Sequence, residues 1–310
     1  MAKVKVLLQN KSYKRIICPH ESFRSARLVS QLKAPIKIGF RNWWNRWVFN
    51  NRLDRPMHLP DALRQLSLYT LVDEAFKKEF NSLVEDRTFH NAKGYTRTKM
   101  FFTEKPRHSW MSMSLREFLV DKYKEDIKQL LFGLELQPKG FAVIAPGSVW
   151  DTKRWTTNGF SQVCRHFFKR NQKVVLVGSP EEAWIAEEIE KETPQIINLV
   201  GKTSLFECLL LMTQAEGFIG NDSGTMHLAA IADVPIVSIF GPTTLDLGYR
   251  PWTSKSAVVQ QPLACRPCGL HGSKKCPLHT HACMKSIKPD LVIQTYHLVV
   301  NNSERVHLQD

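Results

Sequence analysis

The sequence lacks the patterns of a membrane-spanning helix, of a secretory signal and of a dinucleotide-binding motif. It contains no run of about 18 uninterrupted apolar residues, the length that a spanning helix needs. Its amino terminus also lacks the sustained apolar core and small-residue cleavage site of a secretory signal. No G-x-G-x-x-G motif is present, which argues against a dinucleotide cofactor. We therefore expect a cytoplasmic protein without a spanning helix.

Acidic residues are scarce at the start of the chain. Residues 1–60 hold 13 Lys and Arg against only Glu21 and Asp54, so most of the formal charge of +14 lies there. Aromatic residues are interleaved with the basic ones between Arg41 and Trp47. Such a segment attracts the phosphates of nucleic acid, anionic lipid or a phosphorylated glycan. A solvated basic surface without a partner is the alternative.

The length of 310 residues and the hydrophobic content of 43% indicate roughly two globular domains. The first residues already alternate strand and helix, with strands at Arg15–Cys18 and Ile36–Phe40. Longer apolar patterns predict helices at Leu59–Phe80 and Ser114–Phe132. The polar stretch 81–113 predicts loops with one short strand. We place the first domain at 1–135 and the second at 136–310.

From Phe141 onward strands and helices alternate with short connections. This order is typical of a doubly wound parallel sheet, so the second domain is predicted to be Rossmann-like. The expected strands are 141–147, 174–178, 196–200, 217–220 and 235–240, and the expected helices are 158–169, 181–191, 205–215 and one after Gly224. A capping box at Ser204 and Glu207 supports the start of one helix.

Two polar loops follow strands of this sheet, at 146–155 and at 221–224. The carboxyl ends of parallel strands lie at one edge, so Ser148, Lys153 and His227 are expected to converge there with the helix amides after Gly224. Helix amides and a lysine together favour a phosphorylated ligand. The alternative is structural: Asp222 caps the helix, His227 packs on the sheet and Lys153 lies on the surface.

Four of the seven cysteines cluster between residues 265 and 283. Their residue type and first C-x2-C spacing suit structural zinc at Cys265, Cys268, Cys276 and Cys283. Free thiols in a loop over the ligand site are the alternative. Disulfides are not expected in a reducing cytoplasm.

Three segments of the chain resemble glycosyltransferase family 9, the heptosyltransferases. They are PGSVWDTKRW, NLVGKTSLFECLLLMTQAEGFIGNDSGTMHLAAIADVPIVSIFGPT and CRPCGLHGSKKCPLHTHACMKSIKPD, and CPHESFRSARLVSQLKAPIKIGF adds a weaker match to the family's amino-terminal domain. The resemblance implies a GT-B fold of two α/β Rossmann-like domains with parallel sheets. The donor would bind the carboxy-terminal domain and the acceptor the amino-terminal one.

The same resemblance implies the chemistry. The donor would be ADP-heptose and the acceptor the phosphorylated inner core of lipopolysaccharide, at the inner membrane surface, with nucleic acid not the expected partner. Transfer would invert the sugar without a metal cofactor, and no Asp-x-Asp motif is present. The donor residues, carried over by motif, would be Ser148 and Lys153 for phosphates, Thr203 for the nucleoside, Asp222 for sugar hydroxyls, Ser223, Gly224 and His227 for the diphosphate, and Glu181 for the ribose.

One family feature has no counterpart in the sequence. Members open with a strand and a Gly-Asp turn whose Asp is the general base, and this opening is expected to be missing, which would leave the first domain incomplete. The catalytic residue is therefore unknown; His20, Glu21 and Asp61 are titratable neighbours only. A truncated start, a catalytically weak relative and a rebuilt site remain as explanations. The alternative function is a silent relative that binds anionic glycan or nucleic acid.

Overall fold

The computed structural model describes residues 8, 11–59, 61–85, 113–251, 253 and 255–307. The chain divides into two compact units, Met1–Lys93 and Gly94–Asp310. This division differs from the predicted boundary at 135 and 136. Helical residues from 113 to 133 belong to the second unit, because the buried side chains of Leu119, Ile127 and Leu131 join one of its hydrophobic clusters.

The first unit holds a three-stranded parallel sheet in the order β1-β2-β3. Its strands are β1 (Arg15–Cys18), β2 (Ile36–Phe40) and β3 (Asn51–Leu53). The predicted strands β1 and β2 are confirmed, and helix α1 (Phe23–Ser30) is capped by the Ser22 side chain. The predicted helix Leu59–Phe80 is instead α2 (Asp61–Leu66) and α3 (Glu74–Glu85), separated by a 3-10 turn at Ser67–Leu71.

The second unit is built on a six-stranded, fully parallel sheet in the order β6-β5-β4-β7-β8-β9. This is the doubly wound Rossmann order, in which the direction of winding reverses between the first and fourth strands. The strands are β4 (Phe141–Ala145), β5 (Lys173–Leu176), β6 (Ile197–Asn198), β7 (Gly217–Asn221), β8 (Ile236–Phe240) and β9 (Ser256–Gln260).

Helices cover both faces of this sheet through two hydrophobic clusters. They are α4 (Met113–Lys122), α5 (Lys124–Gly133), α6 (Thr157–Phe168), α7 (Ala183–Glu192), α8 (Leu205–Gln214), α9 (Gly224–Ile231), α10 (Ala282–Lys285) and α11 (Pro289–His307). The predicted alternation from Phe141 to Phe240 is confirmed, with the Ser204 capping box in place.

Two further predictions concern the chain between residues 81 and 132. The single helix Ser114–Phe132 is wrong, because Tyr123 leaves helical geometry at φ −113° and ψ 30° and separates α4 from α5. Of the stretch 81–113, where loops and one short strand are expected, residues 86–112 lie outside the described residues. In the part of the chain that the structure describes, no helix has the combined length and apolarity needed to cross a bilayer.

Candidate functional site

The candidate site lies where the winding of the second sheet reverses, at the carboxyl ends of the adjacent strands β4 and β7. Asn221, fully buried at the end of β7, fastens the two loops that leave these strands. Its Nδ2 donates to Pro146 O (2.8 Å) and Gly147 O (3.2 Å), and its Oδ1 accepts from Trp155 N (3.0 Å). One side chain thus holds together loops separated by about 70 residues, the place where doubly wound sheets bind ligands.

A buried ion pair joins the same two loops. Lys153 Nζ donates to Asp222 Oδ2 at 2.6 Å, and the two side chains are only 8% and 4% exposed. The buried hydroxyl of Thr243, which follows β8, donates to the same oxygen at 2.5 Å. Asp222 therefore orients the lysine, rather than capping helix α9. The structural alternative of a surface lysine at 153 does not hold.

A pocket of about 290 Å³ opens between these loops. Six of the eight predicted donor residues line it: Ser148, Lys153, Asp222, Ser223, Gly224 and His227. Gly224 is the first residue of helix α9, so the free amides of that helix lie at the pocket. A Cβ at Gly224 would meet no atom within 4 Å, which leaves room for a ligand close to the backbone.

The chemistry of this wall suits an oxyanion. The amino terminus of α9 carries partial positive charge and unpaired amides, and the buried ammonium of Lys153 adds a charged donor. Ser223 forms a hydroxyl pair with Thr225 at 2.7 Å within the first turn. The arrangement can bind a phosphorylated ligand and stabilise negative charge that develops on it.

Two predicted residues lie elsewhere. Glu181 belongs to the 3-10 turn Pro180–Glu182 after β5, and Thr203 lies just before α8; neither is among the residues that line the pocket. Hydrogen bonds from its own backbone and from the Ser179 side chain lower the pKa of Glu181. The loops that carry the two residues are neighbours, since Gly201 packs against Pro180.

Sequence reasoning missed four residues of the pocket wall: Val149, Trp150, Tyr249 and His271. Tyr249 places its ring 5.7 Å from Lys153 Nζ, and the His271 ring lies 5.5 Å from that of Tyr249. Val149 and Trp150 were inside a motif already singled out, but nothing in the local pattern marked them. Tyr249 and His271 enter from distant segments, so only the fold brings them to the site.

Comparison of the chain with known protein families identifies one that matches. Residues 1–279 match Glycosyltransferase family 9 (heptosyltransferase). The chain belongs to glycosyltransferase family 9. Membership of a transferase family does not favour the alternative of a silent binding protein.

Two relatives of this family 9 protein are named as heptosyltransferases of lipooligosaccharide or lipopolysaccharide. Lipooligosaccharide heptosyltransferase 2 of Campylobacter jejuni subsp. jejuni serotype O:2 is 34% identical over 51% of this chain and 50% of its own length. Lipopolysaccharide heptosyltransferase 3 of Escherichia coli K12 is 37% identical over 36% of this chain and 34% of its own. The chain therefore spans at most about half the length of these relatives.

The fold of this family 9 protein is also similar to that of solved structures. The E. coli ADP-heptose lps heptosyltransferase II matches with a TM-score of 0.66 at 20% identity, covering 97% of this chain and 81% of that one. A family 9 glycosyl transferase from Veillonella parvula gives a TM-score of 0.66 at 16% identity, covering 97% and 76%. The expected α/β fold of the GT-B class is confirmed.

The Cys-rich segment, residues 265–283, borders the pocket through His271. Its four thiols are free, and the described residues include no group of three or more His, Cys, Asp or Glu arranged to hold a metal ion. The ligand types suit zinc but their present arrangement does not, so zinc at these cysteines stays a prediction. The His281 backbone N–H, which donates to Cys276 Sγ at 3.4 Å, lowers the pKa of that thiol, whereas burial raises the pKa of Cys268.

The three titratable residues singled out in the first unit, His20, Glu21 and Asp61, each have a polar partner. Arg55 donates to Glu21 Oε2 at 2.6 Å and to Asp61 Oδ1 at 2.9 Å, and these contacts raise the pKa of Arg55 although burial opposes them. His20 Nδ1 lies 2.9 Å from Ser25 Oγ. The structure therefore brings Glu21 and Asp61 together around one guanidinium, and it gives no reason to name any of the three as the base.

Proposed function

We propose that this family 9 protein transfers heptose from ADP-heptose to the inner core of lipopolysaccharide. The observation that carries the proposal is the convergence of Ser148, Lys153, Asp222 and His227 with the amino terminus of α9 in one pocket. These groups suit the diphosphate of a nucleotide sugar. The names of the relatives supply the sugar and the glycolipid class, and both are part of the proposal for this chain.

The proposed division of labour is the one that the family resemblance implies. Ser148 and Lys153 bind donor phosphate, while Ser223, Gly224 and His227 hold the diphosphate at the start of α9. Asp222, held by Thr243 and Lys153, accepts from hydroxyls of the donor sugar. Thr203 and Glu181, outside the pocket wall, are proposed for the nucleoside and its ribose.

We further infer an inverting transfer that needs no metal cofactor. Cleavage of the bond between sugar and phosphate leaves negative charge on the departing ADP, and a lysine with helix amides can stabilise that charge. Undiminished activity after removal of divalent cations with EDTA would support the inference. Loss of activity that only a divalent cation restores would contradict it, as would an anomeric configuration retained in the product.

The direct test is an assay of the full chain with ADP-heptose and heptose-deficient lipopolysaccharide, together with calorimetry of ADP. His227→Ala is the variant of choice because the side chain is exposed and its loss leaves the core intact. We expect it to weaken ADP binding about tenfold, as loss of a hydrogen bond to a charged group does. Lys128→Ala, an exposed lysine outside the pocket, is the control. Absence of ADP binding by the unmodified chain would overturn the proposed donor.

The acceptor side of the proposal concerns a basic aromatic surface of the first unit, formed by Phe23, Trp43, Arg46 and Trp47. Trp43 is 86% and Trp47 82% exposed, and the Arg46 guanidinium lies 4.7 Å from the centre of the Trp47 ring. Exposed indoles beside arginines favour the interface of an anionic membrane. We propose that this surface contacts the membrane that carries the acceptor, peripherally and without insertion of a helix.

A further inference from the structure

Thr152 is held on every polar side by the Cys-rich segment. Its hydroxyl donates to Ser273 O at 2.6 Å and accepts from Ser273 N at 2.9 Å, and its own N–H donates to Ser273 O at 3.3 Å. The His281 ring completes the set, because Nε2 donates to Thr152 O at 2.8 Å. All these contacts cross about 120 residues of sequence and bury the threonine almost fully.

Thr152 immediately precedes Lys153 in a single 3-10 turn, Asp151–Lys153. That turn is closed by a hydrogen bond from Lys153 N to Trp150 O at 2.9 Å. Because one turn contains both residues, a displacement of the Thr152 backbone moves the Cα of Lys153 with it. The Cys-rich segment therefore fixes the origin of the lysine side chain.

The same segment also lies beside the lysine side chain. Gly272 adopts φ +83°, and a Cβ there would lie 3.2 Å from Thr152 Oγ1 and 3.4 Å from Lys153 Cγ. The space between the Gly272 backbone and the lysine stem would thus hold one added carbon at ordinary van der Waals distance from Lys153 Cγ. His271 adds an indirect contact, since its ring adjoins Tyr249, whose ring faces the ammonium.

We propose that Thr152 is a positioning residue through which the segment 271–281 sets Lys153 against the diphosphate of the donor. The proposal rests on the proposed function, in which Lys153 binds donor phosphate. Thr152 itself has no polar group left for a ligand. Its role is to transmit the position of a distant loop to the one buried ammonium of the pocket wall.

The experiment is calorimetry of ADP with the full chain and three variants. Thr152→Val keeps the shape and removes both hydroxyl hydrogen bonds to Ser273. Lys153 is then no longer held against the diphosphate, so we expect ADP affinity to fall about tenfold, the effect of weakening one hydrogen bond between a charged donor and the phosphate. Thr152→Ser keeps the hydroxyl and should restore affinity to within about twofold of the original. Thr295→Val, a fully buried threonine whose hydroxyl bonds within α11, is the matched control and should leave affinity unchanged.

Each outcome bears on one claim. If Thr152→Val and the unmodified chain bind ADP equally, Thr152 is not a positioning residue, while the donor site stands. If no form of the chain binds ADP, the proposed function fails first. If Thr152→Val does not fold, His281→Ala replaces it, since it removes the ring contact to Thr152 O from the surface side. Weakened ADP binding by that variant supports the inference, and unchanged binding overturns it.

Discussion

Lys153 and Asp222 form an ion pair with an Nζ to Oδ2 distance of 2.6 Å and almost no solvent exposure. They lie 69 residues apart, on loops that leave adjacent strands. The pair is neutral as a whole, so the positive potential for an anion depends on the amino terminus of α9 as well. A phosphate that enters the pocket must share the ammonium with Asp222, which also aims that ammonium into the pocket.

The burial of this pair predicts its effect on stability. Asp222→Asn leaves an uncompensated buried ammonium, so we expect a loss of about 3 kcal/mol in the free energy of unfolding. Lys153→Met should cost a similar amount, and the double variant should cost less than the sum. Urea unfolding of the three variants measures the coupling.

The exposed pair Lys128–Glu125, at 3.0 Å, provides the comparison. Solvent screens such a pair, so Lys128→Met should cost at most about 0.5 kcal/mol. Additive losses for Lys153→Met and Asp222→Asn would mean that the two side chains are not coupled.

Asn221 is predicted to be essential to the structure of the site, because it joins the loop 146–155 to the end of β7. Asn221→Leu keeps the side-chain size but leaves two carbonyls and one amide without partners in a buried place. We expect a loss of about 3 kcal/mol in the free energy of unfolding, together with weaker ADP binding. Asn158→Leu, on the exposed side of α6, should change stability by less than about 0.5 kcal/mol. Equal effects of the two substitutions would refute the role of Asn221.

The part of the site that could be predicted from sequence follows from strand periodicity. Alternation after Phe141 gave the parallel sheet, and the rule that ligands bind at strand carboxyl ends then brought Lys153, Asp222 and His227 together. The helix break at Tyr123 and the contacts of Thr152 could not be predicted. A continuous apolar pattern conceals a local change in backbone angle, and the pairing of Thr152 with Ser273 depends on how a distant loop folds back over the sheet.

The thiols of the Cys-rich segment should differ in reactivity with pH. The pKa of Cys276 is lowered by the His281 N–H, so its thiolate, the nucleophilic form, persists to lower pH than that of Cys268, whose pKa burial raises. Iodoacetamide labelling followed by mass spectrometry at several pH values should show Cys276 modified first near pH 7. Cys164 and Cys208 are the internal control, since burial raises the pKa of each to about 12.

Zinc bound at the four cysteines would suppress this labelling. If the four cysteines close around an ion, one equivalent of zinc should protect all of them, and metal analysis after purification without chelators should find it. Zinc well below one equivalent, with Cys276 still reactive, would contradict the predicted site and support free thiols.

The basic aromatic surface is predicted to bind vesicles of anionic lipid. Trp43→Ser with Trp47→Ser should weaken binding of the full chain to phosphatidylglycerol vesicles about tenfold in sedimentation, because two exposed indoles are lost from the interface. Vesicles of phosphatidylcholine should bind poorly throughout, since they offer no net charge to the arginines. Trp184→Ser removes a tryptophan that is 47% exposed in the second unit and should have no effect. Equal binding by all three forms would exclude the surface.

Gly272 and Gly269 offer a matched pair within the Cys-rich segment, because both adopt positive φ, +83° and +94°, but only Gly272 is crowded. Alanine at either position should cost about 1 kcal/mol of stability through backbone strain alone. At Gly272 the added Cβ would also lie 3.2 Å from Pro242 Cγ and from Thr152 Oγ1, so Thr152 or the segment must shift by a few tenths of an ångström. We therefore expect Gly272→Ala to weaken ADP binding severalfold in calorimetry and Gly269→Ala to leave it unchanged. Equal ADP affinities in the two variants would show that crowding between Gly272 and Thr152 does not affect the ligand site, because the strain is common to both variants and only the crowding differs.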